Sequence, residues 1–333
     1  MKLPRSLSYS SMSLLEKNPE EYFLRYLADR AAPRIPQELP MAVGSSFDAH
    51  VKAALHAALF GAGADPKFAL AVIFESQVES QCRDFALGAG QYAFECYQRC
   101  GAYADLLTLL QKSVVPPRFE FKVDGLIGDV PFTGRPDCHF VPDLGEGPIQ
   151  TILDWKVKGF CSKYGASPTP GYALCRDAYP EGMKASRSHG QEHNKYLGRP
   201  FRGLIINAGY METCSTEYAD QLCLYGWLLK ETPGDENVVC CIEEIVSKYM
   251  GDQRPLLRVA NHKGRVKAEY QLRLVERVAS CWQRITSGHI FTDMPREDSD
   301  ARCEILDKTG EGLLSDGSIR DEFFSKVTRE TRW

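Results

Sequence analysis

The segment Ile149–Gly159, with the sequence IQTILDWKVKG, has the pattern on which the prediction of the fold depends. It is too short for a typical helix and is bounded by glycines and a proline, so we predict a β-strand. Because side chains alternate along a strand, Asp154 and Lys156 are expected on one face. A carboxylate and an ammonium group on a mostly buried strand are costly unless a metal or an ion pair uses them.

The preceding segment, Phe119–Val141, ends in FTGRPDCHFV, a second strand pattern with Asp137 beside a Gly-Arg-Pro turn. Two carboxylates and a lysine on neighbouring strands suit a divalent-metal site, because Mg²⁺ and Mn²⁺ prefer hard oxygen ligands. Such a metal acidifies a bound water that the lysine can orient, which is the chemistry of phosphodiester hydrolysis. The alternative is an exposed ion pair of Asp154 and Lys156 on an edge strand, since Asp-x-Lys is common by chance.

The composition excludes several classes of protein. Hydrophobic residues make up 44% and charged residues 25% of the 333 residues, which is typical of a globular protein. The formal net charge of −4 excludes a globally basic nucleic-acid coat, so any nucleic-acid contact must come from a local patch. No apolar run approaches the ~18 residues of a membrane helix, so no membrane partner is expected. The 12 cysteines, irregularly spaced and without a secretory signal, predict reduced thiols in the cytoplasm.

We predict three regions: a helical N-terminal region at 1–115, an α/β core at 116–290 and a polar, weakly structured tail at 291–333. The core has a long insertion at 157–203, whose eight basic and three acidic residues give it a net charge of +5. Beside a metal site such a loop can follow a phosphate backbone, and a solvated loop without a ligand fits its composition equally well. The residues predicted to bind nucleic acid are Lys158, Lys163, Arg187, Lys195, Arg199 and Arg202.

Two predicted helices carry polar residues of interest. The Ala-rich segment Met41–Phe60 is strongly helical and contains Asp48 and His50. A later helix begins with a capping box and contains Gln221 and Tyr225. These two residues are four positions apart, so we expect them on one helical face.

Segments in a fixed order resemble the RecB-like branch of the PD-(D/E)xK nuclease superfamily. This branch includes CRISPR-associated RecB-like exonucleases and the nuclease domains of recombination helicases. The opening SLSYSSMSLLEKNPEEYFLRYL is similar to that of the branch, and its strand and helix motifs match GRPD at 134–137, DWK at 154–156 and QLCLY at 221–225. The resemblance runs from residue 6 to about 230. It implies a restriction-endonuclease-like core with a mixed central sheet flanked by helices.

The resemblance implies a role for each residue of the two strand motifs. Asp137 and Asp154 would be ligands of Mg²⁺ or Mn²⁺, with the main-chain carbonyl of Trp155 as a further ligand. Lys156 would position or activate the attacking water.

Two helices would complete the implied site. Gln221 and Tyr225 would brace the active-site helix against the site or the DNA backbone. The branch also has a Gly-xxx-His helix, where this chain has Gly44 followed by Asp48, with His50 two positions later. Asp48 has the correct spacing and is a competent hard-metal ligand, whereas His50 has the familiar identity on another helical face. We favour Asp48 as the third ligand and keep His50 as the alternative.

The cysteines argue against an iron–sulfur cluster, which several members of the branch hold with four cysteines. The first of those cysteines usually precedes a proline, where this chain has Asn18-Pro19. No Cys-x₂-Cys lies near the C-terminus either, so we predict that the protein holds no cluster.

Two other functions compete with this interpretation. The sequence HGQEH matches the H-x-x-E-H pattern of inverted zinc peptidases through His189, Glu192 and His193. That chemistry needs both histidines on one face of a stable helix, whereas Gly190 lies inside the motif. The other interpretations are that these histidines are exposed in a loop, bind a structural zinc or contact phosphate. The second alternative is a non-catalytic nucleic-acid-binding or scaffold protein on the same fold.

The residues and the resemblance together predict a divalent-metal-dependent DNA nuclease. Exonuclease action on duplex ends or single strands follows from the habit of the family, in DNA repair, recombination, phage or defence processes. DNA is the expected partner, with a helicase or recombination protein as a further one.

Overall fold

The computed structural model describes residues 2–29, 36–159, 173–174, 216–250 and 253–313. Most of the basic insertion lies outside these residues. The predicted functional residues that fall there are Lys163, Arg187, Lys195, Arg199 and Arg202, together with the motif of His189, Glu192 and His193.

The α-helices in the described part of the chain, in order, are α1 (Tyr9–Lys17), α2 (Pro19–Tyr22), α3 (Leu39–Phe60), α4 (Leu70–Gln77), α5 (Arg83–Arg99), α6 (Ala102–Gln111), α7 (Thr216–Leu228), α8 (Ala268–Thr286) and α9 (Arg296–Leu313). The strands are β1 (Arg118–Phe119), β2 (Val123–Ile127), β3 (Val130–Gly134), β4 (Cys138–Phe140), β5 (Thr151–Lys158), β6 (Ala173–Leu174), β7 (Val239–Met250) and β8 (Gln253–Gly264). None of the described helices is both long and apolar enough to cross a lipid bilayer.

The described residues group into two compact units. The first unit consists of residues 2–29, 123–134 and 269–313. The second consists of residues 36–122, 135–159, 173–174, 216–250 and 253–268.

The first unit contains α1, α2, the antiparallel hairpin of β2 and β3, α8 and α9. Ser8 caps α1 by accepting a hydrogen bond from the backbone N–H of Ser11, and Asn18 caps α2 in the same way. Helix α9 differs from the prediction of a weakly structured tail. Acidic residues in its first turn favour the helix, and Arg302 forms an ion pair with Glu20, a tertiary contact that the polar sequence does not reveal.

The second unit is built on a mixed sheet of six strands among the described residues, in the order β1-β4-β5-β7-β8-β6. Strands β5 and β7 pair in parallel, and every other neighbouring pair is antiparallel. Helix α7 lies between β5 and β7 in the chain and packs on both, as expected for a parallel crossover. The predicted α/β fold, with a mixed sheet flanked by helices and a helical N-terminal region, is confirmed.

One face of the sheet packs against α3, α5 and α6. Leu153 and Trp155 of β5 lie there in one apolar core with Phe47 of α3 and Tyr97 of α5. Helices α3 and α5 approach closely, because a Cβ placed on Gly90 would lie 2.8 Å from the backbone nitrogen of Phe47. Since side chains alternate, this arrangement directs the even-numbered residues of β5 to the opposite face.

Candidate active site

Asp154 and Lys156 lie on the same face of β5, as their spacing predicts. The Lys156 Nζ is 2.6 Å from Asp154 Oδ2, and the Asp154 side chain is only 3% exposed. Strand β5 lies between β4 and β7, so the alternative of an exposed ion pair on an edge strand is wrong. Burying the Asp154 carboxylate costs free energy, which neighbouring groups must therefore offset.

Asp137 lies immediately before β4 and next to Asp154. Strand β4 pairs with β5 so that Cys138 is opposite Leu153, and the carboxyl groups of Asp137 and Asp154 lie within hydrogen-bonding distance of each other. The backbone N–H of Trp155 also donates to Asp137 Oδ2 at 3.5 Å. The structure thus brings together the two aspartates and the lysine that the sequence assigns to one site.

The two aspartates have opposite electrostatic properties. Burial opposes ionisation of Asp137. Three other effects lower its pKa to about 2: the charge of Lys52, the hydrogen-bonding contact with Asp154, and the charge of Lys156. Burial and the neighbouring Asp137 raise the pKa of Asp154 well above its ordinary value. Adjacent carboxyl groups oppose each other's ionisation, whereas Lys52 beside Asp137 and Lys156 beside Asp154 favour the ionised forms, so the pair can share a proton or bind a further cation.

Lys52 of α3 was not predicted from the sequence, and it lies at the centre of the cluster. Its side chain is 0% exposed, and its Nζ is 2.7 Å from Asp48 Oδ2, 2.9 Å from Glu120 Oε1 and 3.1 Å from Asp137 Oδ1. Burial alone would lower the pKa of Lys52, but the three carboxylates outweigh burial and raise it. The lysine is therefore a buried, permanently charged cation.

Glu120 is the second unpredicted member of the cluster. Its φ of 45° lies in the left-handed region, which is uncommon for a residue other than glycine, and its backbone N–H donates to the carbonyl of Asp137 at 3.1 Å. Gln77 of α4 donates from Nε2 to Glu120 Oε1 at 3.0 Å and to Asp48 Oδ2 at 3.1 Å. A strained backbone held by several partners in this way often marks a functional position.

The structure separates the two candidates for a third metal ligand. Asp48 belongs to the cluster through Lys52 and Gln77, and burial and the neighbouring carboxylates raise its pKa to about 7 despite Lys52. His50 lies on another face of α3, where its Nδ1 is 2.8 Å from the Ser46 carbonyl and its ring lies near Phe94. Of the two, Asp48 is the residue that the structure brings next to Asp137.

Gln221 and Tyr225 lie on one face of α7, as predicted, and they contact the site. Gln221 Nε2 donates to the Tyr225 hydroxyl at 2.9 Å, and Lys156 Nζ donates to Gln221 Oε1 at 3.3 Å. Asp154 and Gln221 together therefore fix the direction of the Lys156 ammonium group.

Lys158 is the one residue of the predicted nucleic-acid-binding set that lies in the described part of the chain. Its Nζ is 2.8 Å from Glu244 Oε1 and 4.7 Å from the centre of the Tyr218 ring. The ring of Tyr218 also lies 5.3 Å from Lys156 Nζ. A half-exposed cation thus lies beside Lys156, over the same aromatic ring.

The donor groups of the cluster fit a hard divalent cation. Asp137 and Asp154 supply carboxylate oxygens, the ligands that Mg²⁺ and Mn²⁺ prefer, and their direct contact calls for a compensating charge. Asp48 Oδ1 is buried and has no hydrogen-bond partner among the described residues. No group of three or more His, Cys, Asp or Glu side chains in the described ranges is already arranged as a metal site, and Lys52 lies among three of the carboxylates.

Comparison with known proteins does not assign the chain to a family. No protein-family model matches the sequence, and no curated protein matches it either.

Proposed function

We propose that this protein is a divalent-metal-dependent nuclease with a restriction-endonuclease-like core, which hydrolyses DNA phosphodiester bonds. The observation that carries the proposal is that Asp154 and Lys156 share one face of the inner strand β5, with Asp137, which immediately precedes β4, beside Asp154. The ammonium group lies 2.6 Å from one carboxylate, and the two carboxyl groups lie within hydrogen-bonding distance of each other. Two carboxylates that can hold a divalent metal and a lysine that can orient water are the groups that such hydrolysis requires.

The metal would be held by Asp137 and Asp154, with the main-chain carbonyl of Trp155 as a further ligand. When bound, Mg²⁺ or Mn²⁺ supplies positive charge that polarises the phosphate and acidifies water.

The chain's own residues then have separable tasks. Lys156, directed by Asp154 and Gln221, orients the attacking water and neutralises the charge that develops on phosphorus oxygens. Tyr225 fixes the amide of Gln221 through its hydroxyl. The burial of Asp154 keeps bulk water from screening these charges, which strengthens their interaction.

The finer parts of the proposal rest on the resemblance to RecB-like nucleases. They are exonuclease action on duplex ends or single strands, a role in repair, recombination, phage or defence processes, and a helicase or recombination protein as a partner. Lys158, beside the active-site lysine, would contact the DNA backbone, as would Lys163, Arg187, Lys195, Arg199 and Arg202.

The test is digestion of end-labelled single-stranded, duplex and circular DNA by the full chain with Mn²⁺. We expect linear substrates to be degraded. Asp154→Asn, which removes a carboxylate that would hold the metal, and Lys156→Met, which removes a charge that would act on the reacting phosphate, should each reduce the rate by roughly 100-fold or more. Lys67→Met is the matched control, since Lys67 is 68% exposed and pairs with Asp65 outside the site. Full cleavage by either site variant would contradict the proposal, and DNA binding without cleavage by the wild type would favour the scaffold alternative.

A further inference from the structure

The position of Lys52 has a consequence for how many metal ions the site can hold. An ammonium group has three N–H donors, and Lys52 Nζ lies within hydrogen-bonding distance of three carboxylate oxygens, on Asp48, Glu120 and Asp137. The side chain is fully buried in the packed interior of the unit, so it cannot turn out into solvent without opening the packing around α3.

Asp137 is shared between two halves of the cluster. Its Oδ1 faces Lys52, whereas its Oδ2 faces the backbone N–H of Trp155. Its carboxyl group also lies within hydrogen-bonding distance of that of Asp154. One half of the cluster thus consists of Lys52 with Asp48 and Glu120, and the other half consists of Asp154 with Lys156.

The formal charges match a single divalent ion. The cluster contains four carboxylates, Asp48, Glu120, Asp137 and Asp154, against the two ammonium groups of Lys52 and Lys156. When all are ionised they leave a charge of −2, which one Mg²⁺ or Mn²⁺ would neutralise. A second divalent ion would bring an excess of positive charge into a cluster that is largely shielded from solvent, which is costly.

We propose that Lys52 is a built-in cation that takes the place of a second metal ion, so that the site binds one divalent ion through Asp137 and Asp154. On this basis Asp48 and Glu120 serve the lysine rather than the metal, and Lys52 is a positioning residue that fixes the carboxylate of Asp137. The inference rests on the proposed function for the presence of a metal. It also assigns the number of bound ions and identifies Lys52 as the residue that sets this number.

The experiment counts Mn²⁺ ions per chain by electron paramagnetic resonance and calorimetric titration, without any DNA. We expect one tightly bound ion in the wild type and two in Lys52→Met, which keeps the side-chain volume and removes the charge. Lys67→Met is the same substitution at an exposed position and should still bind one ion. The double variant Lys52→Met/Asp48→Asn, which also lacks a carboxylate, should bind the second ion at least tenfold more weakly than Lys52→Met.

Stability gives a second measurement that does not depend on cleavage. Removing Lys52 leaves three carboxylates without their cation, so Lys52→Met should gain more thermal stability from Mn²⁺ than the wild type does. If Lys52→Met folds only when Mn²⁺ is added, the ions needed for folding provide the same count. Two tight ions in the wild type, or one in Lys52→Met, would overturn the inference. The digestion assay tests nuclease activity separately, so a protein that binds one ion without cutting DNA would contradict only the proposed function.

Discussion

Glu243 of β7 provides the sharpest test of the electrostatics of this fold. It is fully buried on the face of the sheet that packs against α5. Its Oε2 accepts hydrogen bonds from the hydroxyl of Tyr97 and from Trp155 Nε1, the latter at 3.2 Å, and its Oε1 accepts one from Asn261 Nδ2 at 3.2 Å. Burial raises the pKa of Glu243 from 4.5 to about 7, although these three hydrogen bonds lower it.

This pKa rise makes the folded protein lose stability as the pH increases. Between pH 4.5 and 7 the folded chain retains a proton on Glu243 that the unfolded chain has released, so the free energy of unfolding falls across that window and is then constant. At ~1.36 kcal/mol per pH unit the total cost is about 3 kcal/mol at pH 8.

Glu243→Gln should remove this cost while keeping the hydrogen bonds. The amide oxygen of glutamine can accept from Tyr97 and Trp155. Its NH₂ group can donate to Asn261 Oδ1, which has no partner among the described residues, once the Asn261 amide is turned over. We therefore expect the variant to match the wild type near pH 4.5 and to be more stable by up to about 3 kcal/mol at pH 8.

The assay is urea unfolding, followed by circular dichroism at pH 4.5, 6 and 8 for both proteins. Taking the difference between them isolates Glu243 from Asp48 and Asp154, whose pKa values burial also raises. Glu75→Gln is the same substitution at an exposed position on α4 and should leave the unfolding curves unchanged. A difference that does not depend on pH, or a variant less stable than the wild type at pH 8, would refute the reasoning.

The remaining predictions concern α7 and α5. Gln221→Ala should lower the rate of Mn²⁺-dependent DNA cleavage by roughly tenfold, because Lys156 loses the contact that orients it. Tyr225→Phe should have a smaller effect. Equal rates for the wild type and both variants would contradict this role. In thermal unfolding, Gly90→Ala should cost roughly 1–3 kcal/mol, because its Cβ would meet the backbone of α3 at Phe47. Gly88 is exposed on the same helix with open space around it, so Gly88→Ala should instead stabilise the protein by roughly 0.5–1 kcal/mol. If Gly90→Ala left the stability unchanged, the helices would be able to move apart.

The sequence predicts those parts of the site that depend on local periodicity. Alternation along a strand requires Asp154 and Lys156 to share a face, and the helical repeat requires the same of Gln221 and Tyr225. Both pairs are in contact in the structure. The burial of one face of each element fixes which side chains point inwards, and the structure therefore confirms these relations.

The unpredicted residues depend on contacts between distant parts of the chain. Lys52 is four positions after Asp48 in a helix, a spacing that predicts an ordinary surface ion pair. Only the packing of α3 against the sheet buries this pair and adds Asp137 and Glu120 to it. The orientation of Glu120 further requires a positive φ, and the sequence around it has no glycine or asparagine that would indicate one.

Strand β5 separates the apolar core from the proposed catalytic site by the direction of its side chains. Leu153 and Trp155 point into the core, where Trp155 donates to Glu243, whereas Asp154 and Lys156 point to the opposite face and towards α7. Glu243 of β7 lies on the core side with Trp155. A substitution there therefore alters stability without contacting the carboxylates of the site. Conversely, Asp154→Asn changes the charge of the site without removing a contact of that core. The two faces can therefore be perturbed separately, and urea unfolding of Asp154→Asn shows whether a loss of the proposed cleavage comes from the site or from a change in stability.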